Sequence, residues 1–276
     1  MPREIDAIPA PAHVKKMKLI VLSAPRTGTH ALYEAFIGLG YKPYHMAEVV
    51  ASGAPAIRIM TDAMRAELFH EGTPYGREEF DKWFADYDVI IGMPFLMLRS
   101  VLKAYPDAKF LLTERDPEKW AKSFLNSIGM ASARFSHLPM SVFKHFDSFA
   151  SNMGIFAGRM LNYWTNGLGV SDNGRQALVE NYKAYIADVK RFAPPKQLKV
   201  FKLEDGFGWN ELCSYLGIPI PDIPWPSLNT PEEFHSLAGP KIQTAISKGI
   251  AGVTTITAIV AVVIWYGRKS LWPLLA

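Results

Sequence analysis

Residues 18–40 read KLIVLSAPRTGTHALYEAFIGLG and contain a short apolar run, a turn-forming loop and a segment with apolar residues at helical spacing. This order predicts a strand over residues 18–22 and a helix that follows the loop. The loop, residues 23–29, would turn successive backbone N–H groups towards one point beside the positive N-terminal end of that helix. Such a nest binds a phosphate or another tetrahedral anion, and Arg26 adds a full positive charge. Taken alone, the loop could equally be an ordinary strand-to-helix turn.

The alternation of strands and helices continues along the chain. Apolar runs predict further strands at residues 88–91, 109–113 and 198–201. Helical spacing predicts helices at residues 57–70, 77–85, 95–104, 141–165, 174–192 and 210–216, and another from Pro117. Strands that are apolar throughout are typical of a parallel sheet covered on both faces. We therefore predict a three-layer α/β domain with a central parallel sheet over residues 18–240, preceded by a flexible arm, residues 1–17, that is rich in Pro and Ala.

The composition excludes several classes of protein. A chain with 49% hydrophobic residues is not intrinsically disordered. Its single cysteine, Cys213, excludes an internal disulfide and a cysteine-based zinc cluster. The net charge of +4 comes from residues 241–276, which hold four basic residues and no acidic residue. The rest of the chain is neutral overall, so the charge gives no reason to expect a nucleic-acid partner.

The C-terminal region, residues 241–276, predicts a membrane anchor. Residues 249–267 read GIAGVTTITAIVAVVIWYG, 19 residues without a charge. At about 1.5 Å per residue this helix nearly crosses a hydrocarbon core of about 30 Å. Lys248, Arg268 and Lys269 flank it, and Trp265 and Tyr266 suit an interface with lipid headgroups. A buried core helix is the alternative. The position near the end of the chain favours a tail anchor with the bilayer as partner.

A second anion-binding unit follows the strand at residues 109–113. Arg115 stands at the carboxyl end of this strand, and Ser123 lies eight residues further on, in the helix that begins near Pro117. Ligands of open α/β sheets collect outside the carboxyl ends of the strands, so Arg115 would face the same crevice as the loop at residues 23–29. Arginine is suited to forked recognition of phosphate, and serine adds a hydrogen bond. Asp116 most simply caps the helix.

Together the two units resemble the P-loop sulfotransferases, which use 3′-phosphoadenosine 5′-phosphosulfate (PAPS). That family's 5′-phosphosulfate loop, P-[KR]-[ST]-G-[TS]-[TS], is matched by Pro25, Arg26, Thr27, Gly28 and Thr29, with His30 at the last position. Its 3′-phosphate site, an arginine with a serine eight residues on, is matched by Arg115 and Ser123. The resemblance spans residues 18–234. It implies PAPS as sulfuryl donor, no metal, and a small apolar or phenolic acceptor with a hydroxyl group.

Three further stretches are similar to a fungal and invertebrate branch of sulfotransferase-like proteins. These are YHMAEV at residues 44–49, AYPDAKFLLTERDPEKW at residues 104–120, and the segment at residues 209–213.

The chain departs from the family at the catalytic base. Well-studied members carry a histidine just after the second sheet strand, in a context such as K-[ST]-H-L-P, whereas residues 91–94 here read IGMP. The R-K-G segment that adds contacts to the 3′-phosphate is also missing. His45 is the candidate substitute as base and Arg26 the candidate for stabilising the transferred group, although a structural role for His45 is open. His137 and His145 are expected to line an acceptor pocket or to pack in the core.

Three functions are therefore considered. The first is a membrane-anchored PAPS-dependent sulfotransferase. The second is a catalytically weak or inactive relative that binds a nucleotide or a partner at the membrane. The third is a nucleoside-triphosphate hydrolase or kinase, with Glu114 as its acid, but its GxxxxGK[ST] loop is missing. Because PAPS is cytosolic, the resemblance implies that the soluble domain faces the cytosol, and the moderate hydrophobicity of the anchor favours the endoplasmic reticulum over the mitochondrial outer membrane.

Overall fold

The central sheet is parallel throughout. The computed structural model describes residues 3–226 and 231–271, and the side chains of residues 3–226 and 238–266. Within these ranges five strands form one sheet in the order β2-β3-β1-β4-β5. The strands are β1 (Leu19–Val21), β2 (Pro43–Tyr44), β3 (Val89–Ile91), β4 (Lys109–Glu114) and β5 (Leu198–Lys202). Their registers bring the carboxyl ends of β1, β3 and β4 to the same edge of the sheet, as the apolar runs predict.

The two sheet faces are separate apolar cores. Leu19, Val21 and Leu111 pack on one side with Phe36 and Leu212. Because side chains alternate along a strand, the neighbouring residues Ile20, Phe110 and Leu112 point to the other side and join the larger core. The predicted three-layer α/β architecture is confirmed.

Helices cover both faces. On the smaller core lie α1 (Thr29–Gly38) and, near the end of the domain, α11 (Trp209–Leu216). The remaining helices are α2 (Met46–Ser52), α3 (Ala54–Leu68), α4 (Arg77–Phe84), α5 (Leu98–Ala104), α6 (Pro117–Phe124), α7 (Met130–Ser136), α8 (Met140–Phe143), α9 (Ser148–Trp164), α10 (Asp172–Phe192) and α12 (Pro231–Leu271). A π-helical turn, Leu125–Gly129, joins α6 to α7 without leaving helical backbone. Short 3-10 turns lie at Glu4–Ala7, Pro94–Leu96, Lys144–Phe146 and Leu203–Asp205.

The helix expected over residues 141–165 is wrong as a single element. Asp147 interrupts it with extended backbone, and its carboxylate accepts the backbone N–H of Ala150 at 2.9 Å as the N-cap of α9. The preceding residues form α8 and the 3-10 turn instead. The helix expected over residues 95–104 likewise begins as a 3-10 turn before α5.

Residues 3–5, within the segment expected as a flexible arm (residues 1–17), contact the domain. Ile5 is fully buried in the larger core. Arg58 donates two hydrogen bonds to Glu4, and Arg3 donates to Glu79 at 2.8 Å. The Pro and Ala content of this segment predicts a loose chain. The buried Ile5 and the two ion pairs of Arg3 and Glu4 hold residues 3–5 against the domain.

Helix α12 runs without a break across the domain boundary expected at residue 240. Ala238 and Ala245 are buried against the larger core, and the Lys248 Nζ lies 2.8 Å from an Asp147 carboxylate oxygen. From Val253 to Tyr266 most side chains are exposed and apolar. Residues 238–266 are long and apolar enough to cross a membrane, so α12 is a candidate transmembrane span.

Candidate active site

The loop after β1 has the backbone of an anion-binding nest. Arg26 and Gly28 both adopt positive φ, at 70° and 83°, and Gly28 is the residue from which α1 begins. A β-carbon at Gly28 would lie 3.2 Å from the Leu203 side chain, so a glycine is required here by both conformation and space. Alternating backbone conformations of this kind aim successive N–H groups into one concavity.

Buried hydroxyl groups hold the loop from beneath. The Ser23 Oγ accepts the backbone N–H of Thr113 at 2.7 Å, and the Thr113 Oγ1 lies 2.8 Å from the Thr27 carbonyl oxygen. Thr27 donates its own hydroxyl to the Ala24 carbonyl at 2.7 Å. The Thr27 hydroxyl thus stabilises the loop rather than reaching into the crevice. Sequence reasoning missed Thr113, although its place at the end of a strand beside the loop strand is visible in the pattern.

The two predicted anion sites meet at Arg26. Its Nε donates to the Ser123 Oγ at 3.2 Å, and the Arg115 Nη1 donates to the Arg26 carbonyl at 2.7 Å. The Trp120 indole N–H donates to the Pro25 carbonyl at 2.7 Å. The loop is therefore held by the end of β4 and by α6, whose contacting residues lie about ninety positions further along the chain. Pro25 to Thr29, Arg115 and Ser123 lie together, as the sequence predicts.

Arg115 is held by a tyrosine of helix α10. Its backbone N–H donates to the Tyr182 hydroxyl at 3.0 Å, and the Tyr182 ring stacks on Trp120 with centroids 4.3 Å apart. Tyr182 was not among the predicted site residues, because no short-range pattern links α10 to β4.

The electrostatics favour an anion between the two arginines. Burial lowers the pKa of Arg26, and the positive charge of Arg115 lowers it further. Among the residues that the structure describes, neither guanidinium forms an ion pair with a carboxylate. Two neighbouring cations without a counter-charge are stabilised by a bound anion, and the guanidinium of Arg115 has further N–H groups to offer one.

His45 lies beside Gly92, in the IGMP segment at residues 91–94. A β-carbon at Gly92 would lie 3.3 Å from the Cδ2 and 3.5 Å from the Nε2 of His45. Gly92 has a φ of 74°, and it follows β3 directly. The imidazole of His45 therefore occupies the space next to Gly92, in the segment where the resemblance led us to expect a histidine. The missing side chain at Gly92 is what makes this space available.

The His45 ring belongs to a small polar aromatic cluster. Its centroid lies 5.6 Å from that of His30 and 5.1 Å from that of Tyr33, and the Tyr33 hydroxyl donates to Glu48 at 2.7 Å. Burial, and then the nearby His30, lower the pKa of His45 to about 3, so its imidazole is neutral at neutral pH.

His45 also caps α2. Its Nδ1 accepts the backbone N–H of Ala47 at 3.4 Å, a long bond that places the ring proton of the neutral imidazole on Nε2. Base chemistry at Nε2 requires this proton to move to Nδ1, at the cost of the cap. The cap supports the structural role of His45, whereas the neutral imidazole is compatible with its role as a base.

Other predicted residues lie elsewhere. His137 and His145 are exposed, so they neither pack in the core nor line a buried pocket. The His137 Nδ1 lies 2.8 Å from the Ala133 carbonyl at the end of α7. Glu114, the acid of the hydrolase interpretation, forms an ion pair with Lys190. In residues 3–226 and 231–271, no group of three or more His, Cys, Asp or Glu side chains is placed to hold a metal ion.

A family model described as a sulfotransferase domain matches residues 18–234 of this chain. The chain is also 28% identical over 264 residues to the "Ava biosynthesis cluster protein M" of Aspergillus versicolor, covering 92% of this chain and 98% of that one.

Two solved structures align over most of the chain. One is a sulfotransferase from Alicyclobacillus acidocaldarius, with 14% identity, a TM-score of 0.42 and coverage of 87% of this chain and 97% of that one. The other is the sulfotransferase domain from the curacin biosynthetic pathway, with 13% identity, a TM-score of 0.38 and coverage of 76% of each chain. Both scores lie below 0.5, so the assignment depends on the domain match, which covers most of the chain and contains the loop, Arg115 and Ser123. This protein belongs to the sulfotransferase domain family.

Proposed function

We propose that this protein transfers a sulfuryl group from PAPS to the hydroxyl group of a small apolar or phenolic acceptor. The observation that carries the proposal is that Arg26, in the loop of the first anion site, contacts both residues of the second. Its Nε donates to the Ser123 Oγ at 3.2 Å, and its carbonyl oxygen accepts from Arg115 at 2.7 Å. A donor with phosphate groups at two ends fits a crevice with two arginines and a nest. The A. versicolor relative is named after a biosynthesis cluster, which also favours a small-molecule acceptor.

The residues of the loop would hold the 5′-phosphosulfate end. These are Pro25, Arg26, Thr27, Gly28, Thr29 and His30, while Arg115 and Ser123 would hold the 3′-phosphate. When bound, PAPS supplies the sulfuryl group and its nucleotide leaves as adenosine 3′,5′-bisphosphate. In the transfer the acceptor oxygen forms a bond to sulfur while the bond from sulfur to the bridging oxygen breaks. Arg26 and the positive end of α1 stabilise the charge that develops on the bridging oxygen, without a metal.

His45 is the proposed base for the acceptor hydroxyl. A general base must be unprotonated at the working pH and must lie near the acceptor hydroxyl. The imidazole of His45 is neutral at neutral pH, and its place next to Gly92 supports the second condition. A base of this kind contributes about 10²- to 10⁴-fold to the rate. A bound anion beside His30 and His45 would raise the low pKa of His45, because it favours the charged imidazolium.

Titration of the full chain in detergent with adenosine 3′,5′-bisphosphate, without Mg²⁺, tests the donor site. We expect binding by the wild type and its loss in Arg26→Ala and in Arg115→Ala. Arg175→Ala is the matched control, because Arg175 is an exposed arginine whose partner is the Glu118 carboxylate rather than a residue of the loop. Failure of the folded wild type to bind the nucleotide would contradict the proposal.

A nucleotide-binding protein without transfer activity is the second candidate. The cap formed by the His45 Nδ1 favours it, since this bond leaves the proton on the nitrogen that would have to accept one. Both candidates bind the nucleotide, and they differ in turnover. Transfer of labelled sulfate from PAPS to phenolic acceptors by the wild type, and a loss of at least about 10²-fold in His45→Asn, would identify the enzyme and its base. Binding without any transfer would favour the second candidate.

We further propose that α12 anchors the protein as a single-pass tail anchor with the soluble domain on the cytosolic face, in the endoplasmic reticulum rather than the mitochondrial outer membrane. Its apolar, exposed second half supports the anchor, and a cytosolic donor supports the orientation. Digestion of sealed microsomes tests this placement. We expect protease to degrade residues 3–226, and protection of the domain would contradict the orientation.

A further inference from the structure

The apolar stretch of α12 is only just long enough to cross the hydrocarbon core of a membrane. Residues 249–267 would span about 28 Å at 1.5 Å per residue, close to the hydrocarbon thickness of about 30 Å. If the first turn stood clear of the membrane, the remaining residues 253–267 would span only about 22 Å. The turn at residues 249–252 must therefore lie at the membrane boundary when α12 is inserted.

The same turn is in direct contact with the soluble domain. A β-carbon at Gly249 would collide with the Phe143 ring, and one at Gly252 would collide with the Phe146 ring. No other residue fits at either position without moving the aromatic ring, so these glycines set how closely the helix and the domain approach. When the turn at residues 249–252 lies at the membrane boundary, Phe143 and Phe146 consequently lie at that boundary as well.

The segment around these two phenylalanines, residues 137–146, carries apolar side chains that the domain leaves exposed. Leu138 is 78% exposed and Val142 is 40% exposed. Lys144 and His145 add basic groups, which suit lipid phosphates. Exposed aliphatic residues that lie beside aromatic residues and an apolar helix are typical of a surface that contacts the membrane interface.

We propose that residues 137–146 form a lip that rests in the interfacial layer of the bilayer and fixes the domain against it. The occupant of this surface is the lipid bilayer itself. The lip rests on the proposed insertion of α12 and adds a second contact between the protein and the lipid.

Fluorescent labels on single cysteines test the lip in the full chain reconstituted into vesicles of phosphatidylcholine and phosphatidylserine in equal parts. Leu138→Cys and Val142→Cys report on the lip, and Val260→Cys reports on the exposed second half of α12. Ile37→Cys is the matched control, because Ile37 is 45% exposed on α1 across the sheet from the core that receives α12. The native Cys213 is buried, so labelling is confined to the new cysteine.

We expect a lipid-borne doxyl quencher to reduce the fluorescence at positions 138, 142 and 260, and aqueous iodide to reduce it only at position 37. If iodide quenches positions 138 and 142 as strongly as position 37 while 260 stays protected, the helix inserts and the lip is wrong. Quenching of all four by iodide would overturn both the insertion and the lip. Neither outcome involves donor or acceptor, so a failure of the sulfotransferase proposal would show in the nucleotide titration and leave these labels unchanged.

Discussion

The Arg115 Nη1 donates a hydrogen bond to the carbonyl oxygen of Arg26 at 2.7 Å. The arginine of one predicted anion site thus holds the backbone of the other, at a residue whose φ of 70° is uncommon for a side chain other than glycine. Since Arg26 in turn donates to Ser123, the two sites form a single hydrogen-bonded unit. A change at either arginine should therefore alter both ends of a bound nucleotide.

Arg115→Lys tests this coupling separately from charge. Lysine keeps the positive charge but lacks the planar fork, so we expect it to lose the bond to the Arg26 carbonyl. Hydrogen bonds from charged donors contribute about 1.5–3 kcal/mol, so the affinity for adenosine 3′,5′-bisphosphate should fall about ten- to a hundredfold. Calorimetric titration measures the change, with Arg175→Lys as control. Equal affinities of Arg115→Lys and the wild type would show that charge alone matters at this position.

Gly92→Ala tests the space under His45. The new methyl group would lie 3.3 Å from the imidazole and sit at a φ of 74°. We expect the left-handed backbone to lower the free energy of unfolding by about 1–2 kcal/mol, and the displaced ring to lower kcat at unchanged nucleotide affinity.

Gly40→Ala is the control for backbone strain. Gly40 has a φ of 78°, and apart from Gly40 itself and its two chain neighbours no heavy atom of the described residues lies within 4 Å of the position of a β-carbon. The two variants should lose similar stability, whereas only Gly92→Ala should lose turnover. Equal kcat values in both variants would argue against a role for the ring above Gly92.

The low pKa of His45 predicts how stability depends on pH. The unfolded histidine binds a proton near pH 6.5, whereas the folded one does so only near pH 3. Between these values the unfolded state binds more protons, so the free energy of unfolding should fall as the pH falls through this window.

His45→Asn should show a shallower fall, because asparagine does not titrate and still caps α2. Thermal unfolding of both proteins in the same detergent between pH 8 and pH 5 measures the difference, in which the other titrating groups cancel. Parallel curves would mean that the imidazole is solvated in the folded protein. For the same reason, protonation of His45 should not give kcat/KM of the wild type, which reports the free enzyme, an acidic limb near pH 6.5.

Truncation tests the packed first half of α12. A chain that ends at Pro240 loses the buried Ala245 and the ion pair of Lys248 with Asp147, whereas one that ends at Gly252 keeps both. Asp147 is buried, and burial alone would raise the pKa of its carboxylate, but the contacts from Lys248 and the Ala150 N–H lower it overall. The loss of Lys248 should cost about 1–3 kcal/mol.

Thermal unfolding of the two shortened chains should therefore give a lower Tm for the chain that ends at Pro240. Lys248→Ala in the chain that ends at Gly252 isolates the ion pair from the packing of the helix. Identical Tm values for the two shortened chains would show that α12 contributes nothing to the domain.

Local pattern was sufficient to bring together the residues of the two predicted anion-binding units, and it named His45 as a candidate, but it could not predict the contact of His45 with Gly92. β1, β4, Arg115 and Ser123 are read from short apolar runs and their spacing, because each site is built within one strand–loop–helix. The contact of His45 with Gly92 depends instead on strand order. β2 pairs with β3 so that Tyr44 lies opposite Ile90, which brings the residues that follow these strands together. A strand of two residues gives no signal in the sequence, so this pairing could not be predicted.

The break at Asp147 was missed for a related reason. An aspartate among Phe143, Phe146 and Phe149 reads as one polar position in an amphipathic helix, whereas in three dimensions it caps a new helix and receives Lys248 from α12. Only the tertiary contact decides between the two. The packed N-terminal Ile5 is another case in which one side chain outweighs the composition of its segment.

The unbroken α12 has a kinetic consequence for a protein held at a surface. If α12 is inserted as proposed, the crevice would keep one height and one orientation above the lipid, because no flexible linker separates the packed half of the helix from its apolar half. A domain on a flexible tether would sample many orientations relative to the membrane, whereas a domain on a continuous helix would not. Encounters with an acceptor dissolved in the same bilayer would then follow its density per unit area, while the nucleotide would still arrive from three dimensions.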